Sequence, residues 1–381
     1  MIADLRWRDY VLTKGDAGLA MWHTLFAERE RNVLYVLGLG FDERMCVGLQ
    51  AVFGAGGVGK RDVCVLRFEE GPESASRSHS DLRAANEQRL AQLVASGGCG
   101  LSERSIPLVS DDNRRIGGRS IAKAFSNPED FRNYTDVIVD ISALPRGLYF
   151  PLIAKLLTMF DQLPKDGSVH NLHVVVAHSP TLDMAIRDEG IDDSATFLHG
   201  FSAAEFEREA TREQPRIWLP VLGRGQQIQL DRILTLVAPD EICPVLPSPA
   251  QNPRESDDLI LEYRQVLFDQ LRVEPRNIIY ASEGNPFEVY RQIVRSVRQY
   301  KRALAPLSGC KAVVSAMSSK LSSLGALLAA YELRDSEGED HVDVGVAHVD
   351  AQGYALDKPR DGESPTLYNL SLAGECYADK E

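Results

Sequence analysis

The sequence predicts an α/β fold of two tandem Rossmann-like parallel-sheet domains arising from internal duplication, and three observations carry that reading. Short β-branched apolar runs alternate with longer segments of helical period, the pattern of βαβ crossovers and of a sheet covered on both faces. Four short motifs occur twice in the same order: Val36-Leu37-Gly38-Leu39-Gly40 and Val221-Leu222-Gly223-Arg224-Gly225, Ser110-Asp111-Asp112-Asn113 and Ser282-Glu283-Gly284-Asn285, Ser142-Ala143-Leu144 and Ser315-Ala316-Met317, Val176-Ala177-His178 and Val346-Ala347-His348. The partners lie roughly 170–185 residues apart, too far for a solenoid repeat and close to half the chain. A chain of 381 residues with 44% hydrophobic content is long enough for two cores. The expected division is residues 1–205 and 206–381, with the polar segment Gly200–Pro215 as linker or bridging helix.

In the first half, Val33–Leu37, Val63–Phe68, Ile106–Val109, Val137–Ile141 and Leu172–Val176 read as strands buried on both faces, being brief, β-branched and bounded by turn residues. Helices are predicted over Glu43–Phe53, Ser80–Val94, Ser120–Phe125 and Gly147–Phe160. The second half repeats the order, with strands at Ile217–Leu222, Ile242–Leu246, Ile278–Ala281, Ala312–Ser315 and Val342–Val346. Its helices are expected at Gln226–Val237, Asp257–Leu271, Pro286–Tyr300 and Ser319–Leu333. The polar, acidic stretches Asp335–Asp340 and Gln352–Pro365 read as mobile loops.

A net charge of −13 argues against the broad basic surface that long nucleic acids require, while leaving room for a local phosphate site. No apolar run approaches the roughly 20 residues of a bilayer span, and Met1-Ile2-Ala3-Asp4 opens without a signal-peptide pattern, so a cytoplasmic protein is expected. Cys46, Cys64, Cys99, Cys243, Cys310 and Cys376 show no CxxC spacing and read as reduced thiols, mostly in cores.

The glycine-rich stretch Gly54–Lys60 spells GxxxxGK but follows a helix, precedes a strand and continues with Arg61. A P-loop needs the opposite context and a following Ser or Thr, so a flexible turn is expected. Gly38 and Gly40 stand better, after the first strand and before a helix that begins with Asp42, Glu43 and Arg44; Gly223, Arg224 and Gly225 are their counterparts. The third glycine of the dinucleotide fingerprint is missing from both copies, which disfavours NAD, and no cofactor is expected. A ligand-facing loop and a structural turn remain equal readings of these glycines.

The strongest chemical signal is Val139-Asp140-Ile141-Ser142-Ala143-Leu144-Pro145-Arg146-Gly147. A hydrophobic strand delivers Asp140 and Ser142 into a turn, and Arg146 sets a positive charge at a helix start, where dipole and amides favour an anion. The second copy offers Ser315, Ser318, Ser319 and Lys320. An N-cap serine and a solvated lysine explain that stretch as well, but both halves carry the pattern, which favours binding.

Strand, Asp-x-Ser, small turn and a basic residue opening a helix resemble the DxTxGTK region of CARF domains, Rossmann-like sensors of cyclic oligonucleotides in prokaryotic antiviral systems. The other CARF ligand loop follows the first strand, where this chain has Gly38–Arg44, and the duplication is similar to the fused CARF-like units of SAVED domains. The motif match spans about ten residues, and Leu144-Pro145 stands where the family has glycine and threonine. The resemblance implies a ligand sensor, with an effector protein as possible partner.

His178 and His348 end the last major strand of each half, where ligands bind in open α/β sheets, and are candidates for ligand contact or acid/base work. A strand-capping role explains them equally. His170 and His173 spell HxxH but straddle a strand entry, with their side chains on opposite faces; His23, His79, His199 and His341 are scattered, and no metal site is expected. The preferred function is a nucleotide-type ligand sensor whose phosphate-bearing ligand lies in the cleft between the halves, met by Arg146, Lys320 and Arg224. The alternatives are an enzyme acting on a nucleotide or phosphorylated substrate there, with His178 or Asp140 as acid/base, and a partner-binding scaffold.

Overall fold

The computed structural model describes residues 5–70, 74–112, 114–163, 170–201, 213–336, 338, 341–357 and 364–380. They form two units: Asp9–Gly190 with Ala351–Glu381, and Met1–Arg8 with Ile191–Asp350. The chain thus leaves the first unit after residue 190, where a boundary at 205 was expected, and returns to it at 351. The segment 202–212, where the linker was expected, lies outside the described residues.

In the N-terminal unit β1 (Val11–Lys14) and the helix Gly15–Glu28 precede the first predicted strand. Then β2 (Val33–Leu39), β3 (Arg61–Glu69), β4 (Gly100–Pro107), β5 (Asp136–Asp140) and β6 (Asn171–His178) pair in parallel in the order β4-β3-β2-β5-β6. β2, β5 and β6 are buried along their whole length, as their apolar runs require for central strands covered by helices. β4 departs from that expectation: it is the sheet edge and exposes most of its residues. Crossover helices lie at Val47–Gly54, Ser80–Gly97, Gly117–Ala124 and Arg146–Gln162. Ser80–Gly97 stops where Gly98 turns left-handed at φ +62°, a conformation that glycine adopts without strain. After β6 come a short helix, Pro180–Ala185, and β7 (Ile186–Ile191).

The C-terminal unit contains β8 (Thr196–Phe197), β9 (Arg216–Val221), β10 (Glu241–Ile242), β11 (Val245–Pro247), β12 (Ile279–Ala281), β13 (Lys311–Ala316) and β14 (Val344–His348). Its parallel order is β12-β11-β9-β13-β14, with β8 antiparallel at one edge and β10 beside β9. Helices at Gln227–Val237, Glu255–Glu262, Pro286–Ala303 and Lys320–Asp335 cover it. The helix expected over 257–271 is divided, ending at Glu262 and resuming as a π-helix over Gln265–Gln270. Asn285 caps Pro286–Ala303 by accepting the Phe287 amide, with Pro286 pre-set for the first turn.

Both sheets therefore share one order of parallel strands, third-second-first-fourth-fifth, and are Rossmann-like α/β. Equal order is what a duplication requires, though any two folds of this class meet it. Two last strands return to the N-terminal unit: β15 (Ala351–Leu356) pairs with β7, and β16 (Thr366–Ala373) runs antiparallel to β6 and carries β1 on its far side. β15 and β16 both fall in or beyond the stretch expected to be a mobile loop.

At the amino-terminal edge of this first sheet lies a buried ionic group. Asp136 is fully enclosed and accepts from Thr135 Oγ1 at 2.6 Å, Asn171 Nδ2 at 3.0 Å, His173 Nε2 at 3.2 Å and Arg31 Nη1 at 3.3 Å. Burial opposes its charge, but the hydrogen bond and charge of His173, helped by Thr135 and Arg31, bring its pKa down to about 2. Glu375 also pairs with Arg31, at 2.9 Å. Trp22 Nε1 donates to Asn369 Oδ1 at 2.9 Å, tying β16 to the core under Gly15–Glu28. Among the described residues, no helix is long and apolar enough to cross a membrane.

Candidate functional site

In an open α/β sheet the ligand crevice lies outside the carboxyl ends of the strands, where the strand order reverses. In the N-terminal unit that point falls between β2 and β5. After β2, Gly40 is half-buried and its surroundings would admit a Cβ, whereas a Cβ on Gly38 would meet Phe68 and Leu144 side chains at 2.6 and 2.7 Å. Gly38 is thus a packing glycine, not a ligand-facing one. Asn86, from the helix Ser80–Gly97, donates to both the Gly40 and Asp42 carbonyls at 2.9 Å and fixes the loop.

Asp42 and Arg44, expected to face ligand, are turned inward. Asp42 caps the short 3₁₀ turn Glu43–Cys46 by accepting the Arg44 amide at 3.0 Å, and its carboxylate holds the Arg44 guanidinium at 2.7 Å. Arg44 is 1% exposed and also donates to Asp183 Oδ1 at 2.6 Å. Burial disfavours its charge; the Asp183 and Asp42 carboxylates outweigh that, so its pKa lies above the ordinary value.

The loop after β5 is corrected in the same way. Asp140 is buried beneath the helix Val47–Gly54, accepting from the Tyr35 hydroxyl at 2.6 Å and the Ser142 amide at 2.8 Å, and a Cβ on Gly48 would lie 2.5 Å from its Oδ2. Burial first, and then the Asp140 charge, raises the Tyr35 pKa well above the phenol range. Ser142 is fully enclosed, its Oγ accepting the Ala177 amide at 2.8 Å. Arg146 remains at the edge: half-buried, it is the first residue of Arg146–Gln162, a helix whose N-cap, Pro145, supplies no side-chain hydrogen bond. His178 ends β6, 8% exposed, with Nδ1 3.5 Å from Asp183 Oδ2.

In the C-terminal unit the corresponding loop after β9 is filled by the protein itself. Arg224 pairs with Glu255 at 2.7 Å and Asp258 at 2.8 Å, hydrogen bonds that raise its pKa above the ordinary value. The Gly225 amide donates to Glu262 Oε1 at 2.7 Å, and the Gln226 amide to the Tyr263 hydroxyl at 3.1 Å, which itself donates to the Gly223 carbonyl. A Cβ on Gly223 would stand 2.8 Å from Ser318 Cα and closer still to the Met317 carbonyl, so this glycine lets two loops cross. Arg224, expected to meet phosphate here, is thus engaged by carboxylates of the chain, and the amides of the loop by a carboxylate and a hydroxyl. Ser315 is buried and accepts from Trp218 Nε1 at 2.9 Å, and Ser319 caps Lys320–Asp335 by accepting the Ser322 amide. Ser318 gives its carbonyl to Ser323 Oγ; Lys320 is half-buried at the helix start. His348 lies at the end of β14, with Nε2 3.4 Å from Asp350 Oδ1.

Gly54–Arg61 is a helix-to-strand turn, with left-handed backbone at Gly56, Gly57 and Gly59. His170 and His173 bind separate partners, the Tyr134 carbonyl and Asp136. Burial pushes the Cys46, Cys243 and Cys310 thiols up to about 11, which keeps them protonated and unreactive. Among the described residues no group of three or more His, Cys, Asp or Glu could hold a metal ion.

Asp183, Asn86, Glu262 and Tyr263 shape these edges, and sequence reading missed all four. Only Asp183 left a trace, five residues beyond His178 in a helix opened by Ser179-Pro180, with the Ser179 hydroxyl accepting the Leu182 amide.

No protein-family model matches the chain, and no curated protein matches it. Among solved structures it is similar to a SAM-dependent O-methyltransferase from Thermotoga maritima, at 13% identity and a TM-score of 0.21, over 43% of this chain and 45% of that one. A universal stress protein from Archaeoglobus fulgidus is similar at 12% identity and a TM-score of 0.21, over 86% and 97%. The chain thus spans less than half the length of the methyltransferase, and TM-scores of this size carry no argument about the site.

Proposed function

We propose that the protein is a cytoplasmic sensor that binds a phosphate-bearing, nucleotide-type small molecule at the carboxyl edge of its N-terminal sheet. One observation supports this above the rest. At the strand-order reversal, a 17-residue helix begins on the half-buried cation Arg146 without a side-chain cap. Helix dipole, first-turn amides and guanidinium there favour the same anion. Gly40, across from Ala143, supports close approach of a ligand backbone, since the nearest atom to a Cβ placed there is 3.8 Å away. Lys320 is the corresponding cation of the second sheet, although that helix is capped by Ser319 and the loop after β9 is self-occupied.

The resemblance of Asp140–Gly147 to CARF domains supports a cyclic oligonucleotide as ligand, prokaryotic antiviral defence as setting and an effector protein as partner. Calorimetry on the full chain with ATP and cyclic di-AMP, beside mass spectrometry of any copurified small molecule, tests the proposal. Arg146→Ala is expected to weaken binding about 10–100-fold, with Tm within about 2 °C of the parent. Failure of every nucleotide to bind, or unchanged affinity in Arg146→Ala, refutes it.

A further inference from the structure

Two residues expected to touch ligand instead frame the end of β6. Ser142 Oγ holds the Ala177 amide at 2.8 Å, and Arg44 Nη1 reaches the Ala177 carbonyl at 3.5 Å, so both backbone groups just before His178 are fixed from neighbouring loops. His178 packs edge-on against Tyr368, with ring centroids 5.9 Å apart. Its Nδ1 is sealed from solvent and has no hydrogen-bond partner among the described residues, while Asp183 Oδ2 faces it at 3.5 Å. Asp183 is itself held, because its other oxygen accepts from the buried Arg44, which Asp42 grips in turn. A buried ring nitrogen without a partner is costly, and hydrogen bonds at ligand sites are often long before ligand arrives and tighten in the complex. A carboxylate only accepts, so the nitrogen it faces carries the proton and the other keeps its lone pair.

We infer that Arg44 and Asp183 are positioning residues that hold His178 in the Nδ1–H tautomer, so that Nε2 accepts a hydrogen bond from a ligand donor at the carboxyl edge. The inference rests on the nucleotide reading above, for which that donor is a sugar hydroxyl. The second copy does not reproduce the device: His348 turns Nε2, not Nδ1, toward its aspartate. The C-terminal edge therefore presents a different nitrogen.

The tautomer is read directly from imidazole ¹⁵N shifts of the full chain at alkaline pH, without any ligand. Wild type is expected to show Nδ1–H. In Asp183→Asn the amide oxygen stays on Arg44 and the NH₂ faces Nδ1, so the tautomer inverts to Nε2–H. Affinity for ATP or cyclic di-AMP then falls about tenfold, as it does in His178→Ala. An Nε2–H wild type, or a tautomer unchanged in Asp183→Asn, overturns the inference. Undiminished nucleotide binding by His178→Ala removes His178 from the site and leaves the proposed function standing. If neither nucleotide binds, the function falls, and the pair stands or falls on the ¹⁵N shifts alone.

Discussion

Asp136 offers a quantitative test of what holds the N-terminal sheet together. Its carboxylate is wholly buried under four donors, from Thr135, Asn171, His173 and Arg31, and its pKa is brought from 3.8 to about 2. Nearly two pH units at 1.36 kcal/mol each correspond to roughly 2 kcal/mol of stability. The folded carboxyl is the more acidic, so the unfolded chain binds the extra proton on acidification. The contribution is complete above about pH 4 and is lost as pH falls toward 2. Asp136→Asn keeps the volume but leaves Arg31, 1% exposed, with Glu375 as its remaining carboxylate at 2.9 Å. Breaking a buried pair costs about 3–5 kcal/mol, and the retained Glu375 places this variant near 3 at neutral pH. Urea unfolding followed by hydrogen exchange in β5 and β6 peptides measures the difference. The gap between wild type and variant is expected to narrow by roughly 2 kcal/mol between pH 4 and 2. A gap below about 0.5 kcal/mol at pH 7, or one that does not change with pH, would refute the account of this cluster.

Arg44→Met would leave the Asp42 and Asp183 carboxylates without the guanidinium they share, so a loss of about 3–5 kcal/mol is expected in thermal or chemical unfolding. A variant with unchanged Tm and weakened nucleotide binding would return Arg44 to the ligand. Gly223→Ala drives a methyl into the Met317–Ser318 backbone and is expected to cost about 1–3 kcal/mol, read as a lower Tm; a neutral result would show that the two loops can part.

The fold was legible because apolar period survives without knowledge of neighbours: Val33–Leu37 and Val137–Ile141 are buried strands in sequence and in structure. The site was legible only in position. Gly40, Arg146, Lys320 and His178 do stand at carboxyl edges, since strand ends follow from the pattern. Side-chain direction does not follow. Arg44 and Arg224 read as available cations, yet their partners Asp183, Glu255 and Asp258 lie 31 or more residues away in sequence and meet them only through the crossovers. Asp140 ends β5 and Ser142 follows two residues later, both still buried before the helix starts at Arg146, so their polarity serves Tyr35 and Ala177. β16 escaped because the stretch before it reads as loop and an antiparallel return strand carries no signal of which sheet it joins.

That strand also sets a timetable. β6 has β5 on one side, but its other neighbour, β16, is encoded at residues 366–373, after the entire C-terminal unit. At 5–20 residues per second, a ribosome needs roughly 10–40 s to bridge that gap. Through that interval the nascent chain carries the unpaired edge of Val174-Val175-Val176-Ala177, a flat apolar row of the kind that recruits foreign strands. Trp22 likewise waits for Asn369, 347 residues further along the chain, to take its indole N–H. The half of this protein that is made first is thus the half that finishes folding last, and its exposure to chaperones is written into the order of its strands.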